Sequence, residues 1–300
     1  MAVELRLFLR LRRLLEEYFV RLVEADDPVL EVWDILVDLW DADRDVRSYF
    51  RLEEDASEFE RDLNNVFFEF YDYLYRRIRS MVLEFSPPLI IVDGMSIREG
   101  NLLIRDLEKE GYDILEYSCS FSALPSNTMS FREAMNVKFT EVRSGKTPSD
   151  LDFKLPVWIS YPDEILHHAA EILPPERTYE MMRDCVFKVL DMVGKGEVTL
   201  ISDHGYIMVD YVWSLAKGDS RFLKEKVFGS QRFVRVDEVD NSVLRRLREL
   251  PRDRSYVLVD DNYCYVRGRY FWPIRGYGRV VAHGGLSLME CMVPKIRVRV

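Results

Sequence analysis

The chain has 300 residues, 48% of them hydrophobic, and a formal net charge of −10. The apolar content is enough to bury the core of one large domain, and the negative charge argues against a surface that grips long nucleic acids non-specifically. The sequence contains no run of about 18–20 uninterrupted apolar residues that would span a membrane.

Two further features favour a cytoplasmic protein. Charged side chains interrupt the apolar residues of the first ten positions, which is not typical of a signal peptide. The cysteines show no CxxC spacing, so we expect four reduced thiols rather than disulfides or a structural zinc cluster. They are Cys119, Cys185, Cys264 and Cys291.

The charge is unevenly distributed along the chain. Residues 1–85 contain 12 basic and 21 acidic side chains, a balance of −9, whereas residues 211–300 contain 18 basic and 10 acidic ones, a balance of +8. Two interpretations follow: the last third attracts an anionic substrate, or the two ends of the chain attract each other.

The first 85 residues are predicted to be helical. Apolar residues recur at helical spacing over 4–24, and Asp26-Asp27-Pro28 then ends this helix and caps a second one that runs to about Asp41. A third helical pattern runs from about Ala56 to Glu84. We interpret residues 1–85 as a helical extension that forms either a small bundle or a brace on the main domain.

Beyond Ser86-Pro87-Pro88 short β-type runs alternate with helices, which predicts an α/β fold with a mostly parallel sheet and helices on both faces. The strands are predicted at Leu89–Val92, Tyr112–Tyr117, Val157–Ser160 and Val198–Ser202, and the helices near 97–110, after Thr128 and near 178–193.

From residue 229 onwards the pattern indicates a small, antiparallel, β-rich cap insertion. Its strands are predicted at Arg232–Val236, Tyr256–Val259, Tyr263–Val266 and Arg269–Trp272, and a further strand at Gly278–Ala282 leads into His283. The sequence therefore predicts two parts, an extension over 1–85 and a main domain over 86–300.

Candidate metal ligands cluster in loops that follow these strands. The carboxyl edge of a parallel sheet is where open α/β folds place their active sites, and all four histidines of the chain fall in such loops. The candidates are Asp93, the loop Ser126-Asn127-Thr128, Asp163 with His167 and His168, Asp203-His204, and His283.

Oxygen and imidazole ligands in these numbers suit two divalent ions of the zinc or manganese type. Asp163 and His167 are four residues apart, so on a helical turn they share a face and can bind one ion together. A pair of cations would activate a threonine hydroxyl for attack on phosphorus, and Thr128 lies at a predicted helix start. A helix N-cap is an alternative role for Thr128, and the two roles are compatible.

Three segments resemble the PglZ domain, a family of the alkaline phosphatase superfamily. They are Ile91-Val92-Asp93-Gly94, Ile201-Ser202-Asp203-His204-Gly205 and, most specifically, the run from His283 to Pro294 that reads HGGLSLMECMVP. The resemblance covers about 86–300 and implies an alkaline-phosphatase-like fold.

The resemblance also implies roles for individual residues. One metal would be held by Asp163, His167 and His283, and the other by Asp93, Asp203, His204 and the nucleophile Thr128. The family's loop is Pro-Thr-x-Thr, whereas this chain has Pro125-Ser126-Asn127-Thr128. The departure keeps Ser126 and Ser96 as alternative nucleophiles, and His168 is the alternative to His167.

The function implied by this resemblance is a two-metal phosphodiesterase with a threonine nucleophile. A nuclease or a hydrolase of cyclic or linear oligonucleotides fits that chemistry, and some relatives are associated with phage-defence loci. The expected partners are a phosphodiester or nucleotide substrate and other defence proteins, with no membrane. The alternatives are a phosphomonoesterase on the same scaffold and a non-catalytic, metal-binding assembly partner of a defence complex.

Overall fold

A computed structural model describes residues 16–40, 49–83, 86–143, 151–168, 173–251, 256–272 and 281–300; for His167 and His168 it describes the backbone alone. Within these ranges the chain is a mixed α/β structure built on a six-stranded sheet.

The described N-terminal part is helical, as predicted. Its helices are α1 over 16–24, α2 (Pro28–Leu39), α3 (Glu53–Val66) and α4 (Phe70–Arg79). The side chain of Asp27 caps α2 by accepting hydrogen bonds from the backbone N–H groups of Val29 and Leu30. Residues 4–15 of the first predicted helix lie outside the described residues.

The prediction of one long helix from Ala56 to Glu84 is wrong. The chain leaves helical geometry at residues 67–69, and α3 and α4 are separate elements. The break lets both helices pack against α2, and Phe59 and Leu63 of α3, and Phe70 and Leu74 of α4, are all fully buried.

The central sheet is mostly parallel. Its strands run in the spatial order β2-β11-β5-β1-β4-β3, and β1 is parallel to both β4 and β5. Strand β11 is antiparallel to its neighbours β2 and β5. The bounds are β1 (Leu89–Val92), β2 (Asp113–Phe121), β3 (Thr140–Val142), β4 (Val157–Ile159), β5 (Glu197–Ser202) and β11 (Met292–Arg299).

Helices cover both faces of this sheet. Ile90 and Val92 of β1 point into the main core, whereas Leu89 and Ile91 point into a second core that contains Phe131. The predicted α/β class, with a mostly parallel sheet and helices on both faces, is confirmed. The helices are α5 (Ile97–Lys109), α6 (Thr128–Met135), which carries Phe131, α7 (Asp163–His168) and α8 (Pro175–Val193).

The β-rich insertion is a small antiparallel sheet with its own core. Strand β9 (Tyr263–Val266) pairs with β7 (Phe233–Arg235) and with β8 (Val257–Val259). The predicted strand Arg269–Trp272 is wrong, because in that segment only Tyr270 forms an isolated bridge, to Trp213. The remaining elements are β6 (Ile207–Met208), α9 (Lys217–Leu223), α10 (Asn241–Arg248), β10 (Val281–Ala282) and α11 (Leu288–Cys291).

A buried ion network connects the N-terminal helices to the rest of the molecule. Glu53 of α3 pairs with Arg98 of α5 at 2.7 Å and also with Arg269 of the insertion, and Glu60 accepts from Arg269 at 2.7 Å. All four side chains are fully buried. These pairs support the interpretation that opposite charges draw the two ends of the chain together. The boundary at residue 85 between a helical extension and the main domain stays a prediction.

We expect Glu53→Gln to destabilise the protein by about 3–5 kcal/mol at pH 7, because it leaves two buried guanidinium groups under-compensated. Burial opposes the charge on Glu53, but Arg98 and Arg269 lower the pKa of its carboxyl below the ordinary value. A lowered folded-state pKa stabilises the fold above the unfolded value of about 4.3 and loses this contribution as pH falls through the folded value.

Urea unfolding at pH 7 measures the loss, and the gap between wild type and variant should narrow below about pH 4. Glu58→Gln is the matched control, since Glu58 lies on the same helix in a partly exposed pair with Arg61 and should change stability by less than about 0.5 kcal/mol. Equal effects of the two substitutions would contradict the network.

Among the described residues, none of the helices has the length and apolar character needed to cross a lipid bilayer.

Candidate metal centre

The predicted site residues converge at one edge of the central sheet. Asp93, Asp163 and Asp203 follow the carboxyl ends of β1, β4 and β5, and Thr128 follows the loop after β2. Because β11 is antiparallel to these strands, its beginning lies at the same edge, and this brings the preceding segment with His283 to the same place.

Thr128 lies at the centre of the cluster. Its Oγ1 is 2.9 Å from Asp203 Oδ2, 3.2 Å from Asp93 Oδ1 and 3.3 Å from His204 Nε2. The alternative role as an N-cap is wrong, because the side chain of Asn127 caps α6 by accepting from the backbone N–H of Ser130. Thr128 is the first residue of the helix, and its hydroxyl is available to the site.

The carboxylates of Asp93 and Asp203 each accept a hydrogen bond from a residue outside the ligand set. Asp93 Oδ2 accepts a hydrogen bond from Trp158 Nε1 at 3.0 Å, and Asp203 Oδ1 accepts from the backbone N–H of Gly94 at 3.0 Å. Burial, together with the charges of Asp203 and Asp163, raises the pKa of Asp93 well above its ordinary value. Burial also raises the pKa of Asp203, although His204 partly offsets this effect.

The two histidines present the same ring nitrogen to the cluster. His204 Nδ1 lies 2.9 Å from the carbonyl oxygen of Gly205, and His283 Nδ1 lies 3.2 Å from that of Ser126. A carbonyl oxygen can only accept, so Nδ1 carries the proton in each ring and Nε2 is the nitrogen that can act as a ligand. The rings stack with centroids 4.2 Å apart.

The cluster divides into an inner and an outer group of ligands. The inner group is Asp93, Asp203 and His204, all buried; the outer group is Asp163 and His283, both partly exposed, with His204 within reach of it. His283 Nε2 is 3.9 Å from Asp163 Oδ1. The predicted ligand His167 lies on α7, the helix that begins at Asp163, but its side chain is outside the described residues, as is that of the alternative His168.

The inner group fits a divalent ion of the zinc or manganese type. His204 Nε2 is 3.7 Å from Asp93 Oδ1 and 3.5 Å from Asp203 Oδ2, near the separation of about 3.4 Å between ligands of a tetrahedral ion with bonds of about 2.1 Å. Burial works against a charge on His204, yet the carboxylates of Asp203 and Asp163 raise the pKa of its imidazole. Three converging carboxylates therefore favour a cation at this position.

Glycines permit the close approach of the site loops. Gly94 has a positive φ of 75° and lies against Asp163, where a Cβ would be 3.0 Å from the Asp163 Cβ. Gly205, which follows the Asp203-His204 pair, is required by close packing and not by its backbone conformation. Its φ is not among the positive ones; a Cβ at this position would instead overlap the carbonyl oxygen of Met289.

Ser126 connects the loop of Thr128 to the loop of His283. It is fully buried, its Oγ donates to the carbonyl oxygen of Gly285 at 2.8 Å, and the same Oγ accepts from the backbone N–H of Gly284 at 3.0 Å. These bonds occupy the hydroxyl in holding the two loops together. The alternative nucleophile Ser96 is likewise engaged, since its side chain caps α5.

If the site hydrolyses phosphodiesters, as the PglZ resemblance implies, we expect Ser126→Ala to lower the rate about 10-fold without abolishing it, because displaced groups react more slowly but the hydroxyl of Thr128 remains. Steady-state kinetics measure the rate, and Ser130→Ala on the following helix is the control. Activity below the detection limit in Ser126→Ala, with the fold intact, would instead favour Ser126 as the nucleophile.

Sequence reasoning missed a buried ion pair that supports the His283 loop. Glu290 accepts from Arg232 Nε at 2.8 Å and Nη2 at 2.9 Å, and also from the backbone N–H of Gly285 at 2.9 Å. The Ser287-x-x-Glu290 spacing is a capping-box signal, and the structure has that box at the start of α11. The part played by Arg232, 58 residues away in sequence, had no local signal.

Arg132 lies one helical turn beyond Thr128, on α6. Its Nη1 binds Glu141 at 2.8 Å, and its guanidinium carbon lies 4.2 Å from the ring centroid of Trp158. The Arg132 side chain therefore packs on Trp158, whose indole N–H donates to the Asp93 carboxylate.

No protein-family model matches this sequence, and no curated protein is significantly similar to it. Among solved structures, phosphonoacetate hydrolase from Sinorhizobium meliloti 1021 in complex with phosphonoacetate is similar over 48% of this chain and 45% of that chain, with 16% identity and a TM-score of 0.27. The same enzyme in complex with phosphonoformate gives 15% identity and a TM-score of 0.26 over the same shares. The chain spans less than half of that enzyme, and a similarity this low carries no argument about activity.

Proposed function

We propose that this protein is a metal-dependent phosphodiesterase of the alkaline phosphatase superfamily that uses Thr128 as its nucleophile. The observation that carries the proposal is the position of the Thr128 hydroxyl, within 3.3 Å of Asp93, Asp203 and His204. A hydroxyl has one proton and can donate it to only one of these three partners. A nucleophilic oxygen among metal ligands accounts for the arrangement.

The metals would be held by residues already at the sheet edge. Asp93, Asp203 and His204 would hold the first ion, and Asp163 and His283 the second, with His167 as the third ligand that the PglZ resemblance implies. Bound divalent ions would supply positive charge that lowers the pKa of the Thr128 hydroxyl and stabilises charge on the phosphate oxygens.

The chain's own groups then carry the reaction. Asp203 accepts the hydrogen bond of Thr128 and is placed to receive its proton. Thr128 Oγ forms a bond to phosphorus while the bond from phosphorus to the leaving oxygen breaks. The leaving oxygen takes up a proton from solvent, to which Asp203 returns the proton of Thr128, and the product is a phosphodiester of Thr128 that still carries one alcohol of the substrate. Water then adds hydroxide to this phosphorus and gives its other proton to Thr128 Oγ, which releases a phosphomonoester and restores the hydroxyl.

A diester is the favoured substrate class. A monoester carries one more negative charge and generally requires an additional cation to hold its oxygens. Arg132, one helical turn beyond Thr128, is engaged by Glu141 and Trp158. A nuclease or oligonucleotide hydrolase, and a role in phage defence with protein partners, follow from the PglZ resemblance and are part of this proposal.

Turnover of two chromogenic esters after treatment with chelator and addition of Zn²⁺ or Mn²⁺ tests the proposal. We expect bis-p-nitrophenyl phosphate to be hydrolysed much faster than p-nitrophenyl phosphate, and only with added metal. Faster monoester hydrolysis would favour the phosphomonoesterase alternative. Stoichiometric metal binding without turnover of either ester would favour a non-catalytic assembly partner.

A further inference from the structure

The side chain of Trp158 lies outside the ligand set and donates a hydrogen bond to it. It lies on β4, is 1% exposed, and donates from Nε1 to Asp93 Oδ2 at 3.0 Å. A buried tryptophan needs an acceptor for its N–H. Here the acceptor is a carboxylate of the inner metal group.

The two oxygens of the Asp93 carboxylate have different partners. Oδ2 is bound to Trp158, and Oδ1 faces Thr128 at 3.2 Å and His204 Nε2 at 3.7 Å. Since the N–H fixes one oxygen, the carboxylate is held with the other oxygen toward the nucleophile and the metal position. Without that bond the carboxylate could turn about its χ2 torsion, which is intrinsically broad for aspartate.

The indole is itself held in place on several sides. The guanidinium of Arg132 lies over its ring at 4.2 Å and is bound to Glu141, and the ring of Phe139 contacts it edge-on at a centroid distance of 5.2 Å. A cation over an aromatic face attracts the ring electrons, which makes the N–H a stronger donor. It also places a positive charge behind a cluster of three carboxylates.

We propose that Trp158, held by Arg132, is a positioning residue that fixes Asp93 as a monodentate ligand of the inner metal. The inference rests on the proposed metal-dependent function, but it concerns metal binding and not turnover. Groups that hydrogen-bond to metal ligands typically contribute 10–100-fold to metal affinity. The expected contribution of this N–H is therefore a factor of about 10 or more.

The test is Zn²⁺ affinity, measured by competition with a chromophoric chelator. Trp158→Phe keeps an aromatic ring in the core and removes the N–H, and we expect it to bind the inner ion about 10-fold or more weakly. Phe139→Leu is the matched control, because it alters the packing on the same indole but keeps the N–H; its affinity should be within about 2-fold of wild type.

A second variant separates the N–H from the shape of the ring. Replacing Trp158 by 3-benzothienylalanine, through site-specific incorporation, keeps the bicyclic shape and substitutes sulfur for N–H. We expect the same loss of affinity as in Trp158→Phe, and wild-type affinity in this variant would overturn the proposal even if Trp158→Phe is impaired by packing.

Nuclear magnetic resonance provides a readout that a purely structural role would not affect. The indole N–H resonance of Trp158, assigned by its disappearance in Trp158→Phe, should shift when Zn²⁺ is added, because the ion shares the acceptor carboxylate. An unchanged resonance at saturating Zn²⁺ would contradict the inference. Metal binding with the expected shift but no ester turnover would leave the inference standing and refute only the proposed catalytic function.

Discussion

Thr128→Ala should lower the rate of phosphodiester hydrolysis by at least about 1,000-fold while the protein still binds metal. The substitution removes the hydroxyl and the γ-methyl group, and the hydroxyl lies among ligand atoms at 2.9–3.3 Å. Asn127, not Thr128, caps α6, so the loss should not unravel the helix. Steady-state kinetics on bis-p-nitrophenyl phosphate measure the effect.

The control is Thr128→Ser, which keeps a hydroxyl at the same position and should retain measurable activity. Acid quenching of wild type during turnover of bis-p-nitrophenyl phosphate, followed by mass spectrometry, should find a p-nitrophenyl phosphoryl group on the peptide that contains Thr128. If Thr128→Ala hydrolyses the diester as fast as wild type, Thr128 is not the nucleophile, and water attacks phosphorus directly.

Asp203→Asn should abolish metal-dependent hydrolysis and yet stabilise the metal-free protein. Asp203 and Asp93 are both buried beside Thr128, and both have a raised pKa in the folded state. A raised pKa of an acid means that the folded state binds protons more tightly than the unfolded state, so stability falls as pH rises above the unfolded value of about 3.9. Removing one of the charges relieves this cost at pH 7.

We expect a gain on the order of 1–2 kcal/mol, or a rise in Tm of about 2–6 °C for the chelated variant at pH 7. The amide oxygen of asparagine can still accept from Gly94, which is the bond that Asp203 Oδ1 makes. In wild type, added Zn²⁺ should raise Tm by ligand linkage, and in the variant this rise should be much smaller.

Thermal melts of both proteins, with chelator and with Zn²⁺, measure these shifts. Asp210→Asn is a suitable control, since Asp210 lies shortly after β6 and is exposed, outside the ligand cluster. If metal-free Asp203→Asn has a lower Tm than metal-free wild type, the buried charge of Asp203 does not destabilise the metal-free fold. An unchanged response to Zn²⁺ would remove Asp203 from the ligand set.

The main features of the fold could be predicted because they depend on local patterns. Apolar runs bounded by turn residues predict β1, β4 and β5, and the Asp27-Pro28 cap predicts the start of α2. Convergence of Asp93, Thr128, Asp163 and Asp203 follows from one general fact, that parallel strands share a carboxyl edge, whereas His283 reaches this edge through the antiparallel strand β11. The sequence therefore predicted which loops come together without any knowledge of strand order.

Strand β11 was not predicted, although it lies inside the sheet between β2 and β5. Its apolar residues alternate with Lys295, Arg297 and Arg299, but Pro294 argues against an interior strand because it lacks an N–H group. The register explains the exception: β5 pairs only with Lys295–Arg299, so Pro294 has β2 as its single neighbour. Which neighbouring strands pair with a given residue cannot be read from the sequence of one strand.

The supporting residues of the site were missed for the same reason. Trp158 reads as an ordinary core residue of a buried strand, and Arg232 reads as one of many surface arginines. Each acquires its role from a partner far away in sequence, Asp93 for Trp158 and Glu290 for Arg232. Ligand types can be recognised from local sequence, whereas the groups that hold the ligands are specified by tertiary contacts.

The most direct test of the account is the position of the metals themselves. Crystals of the chelated protein, soaked in Zn²⁺ and measured at the zinc absorption edge, should show two anomalous peaks about 3.5–4 Å apart. One peak should lie among Asp93, Asp203 and His204, and the other beside Asp163 and His283. If no peak lies within bonding distance of Asp203 and His204 at saturating Zn²⁺, the two-metal account is contradicted.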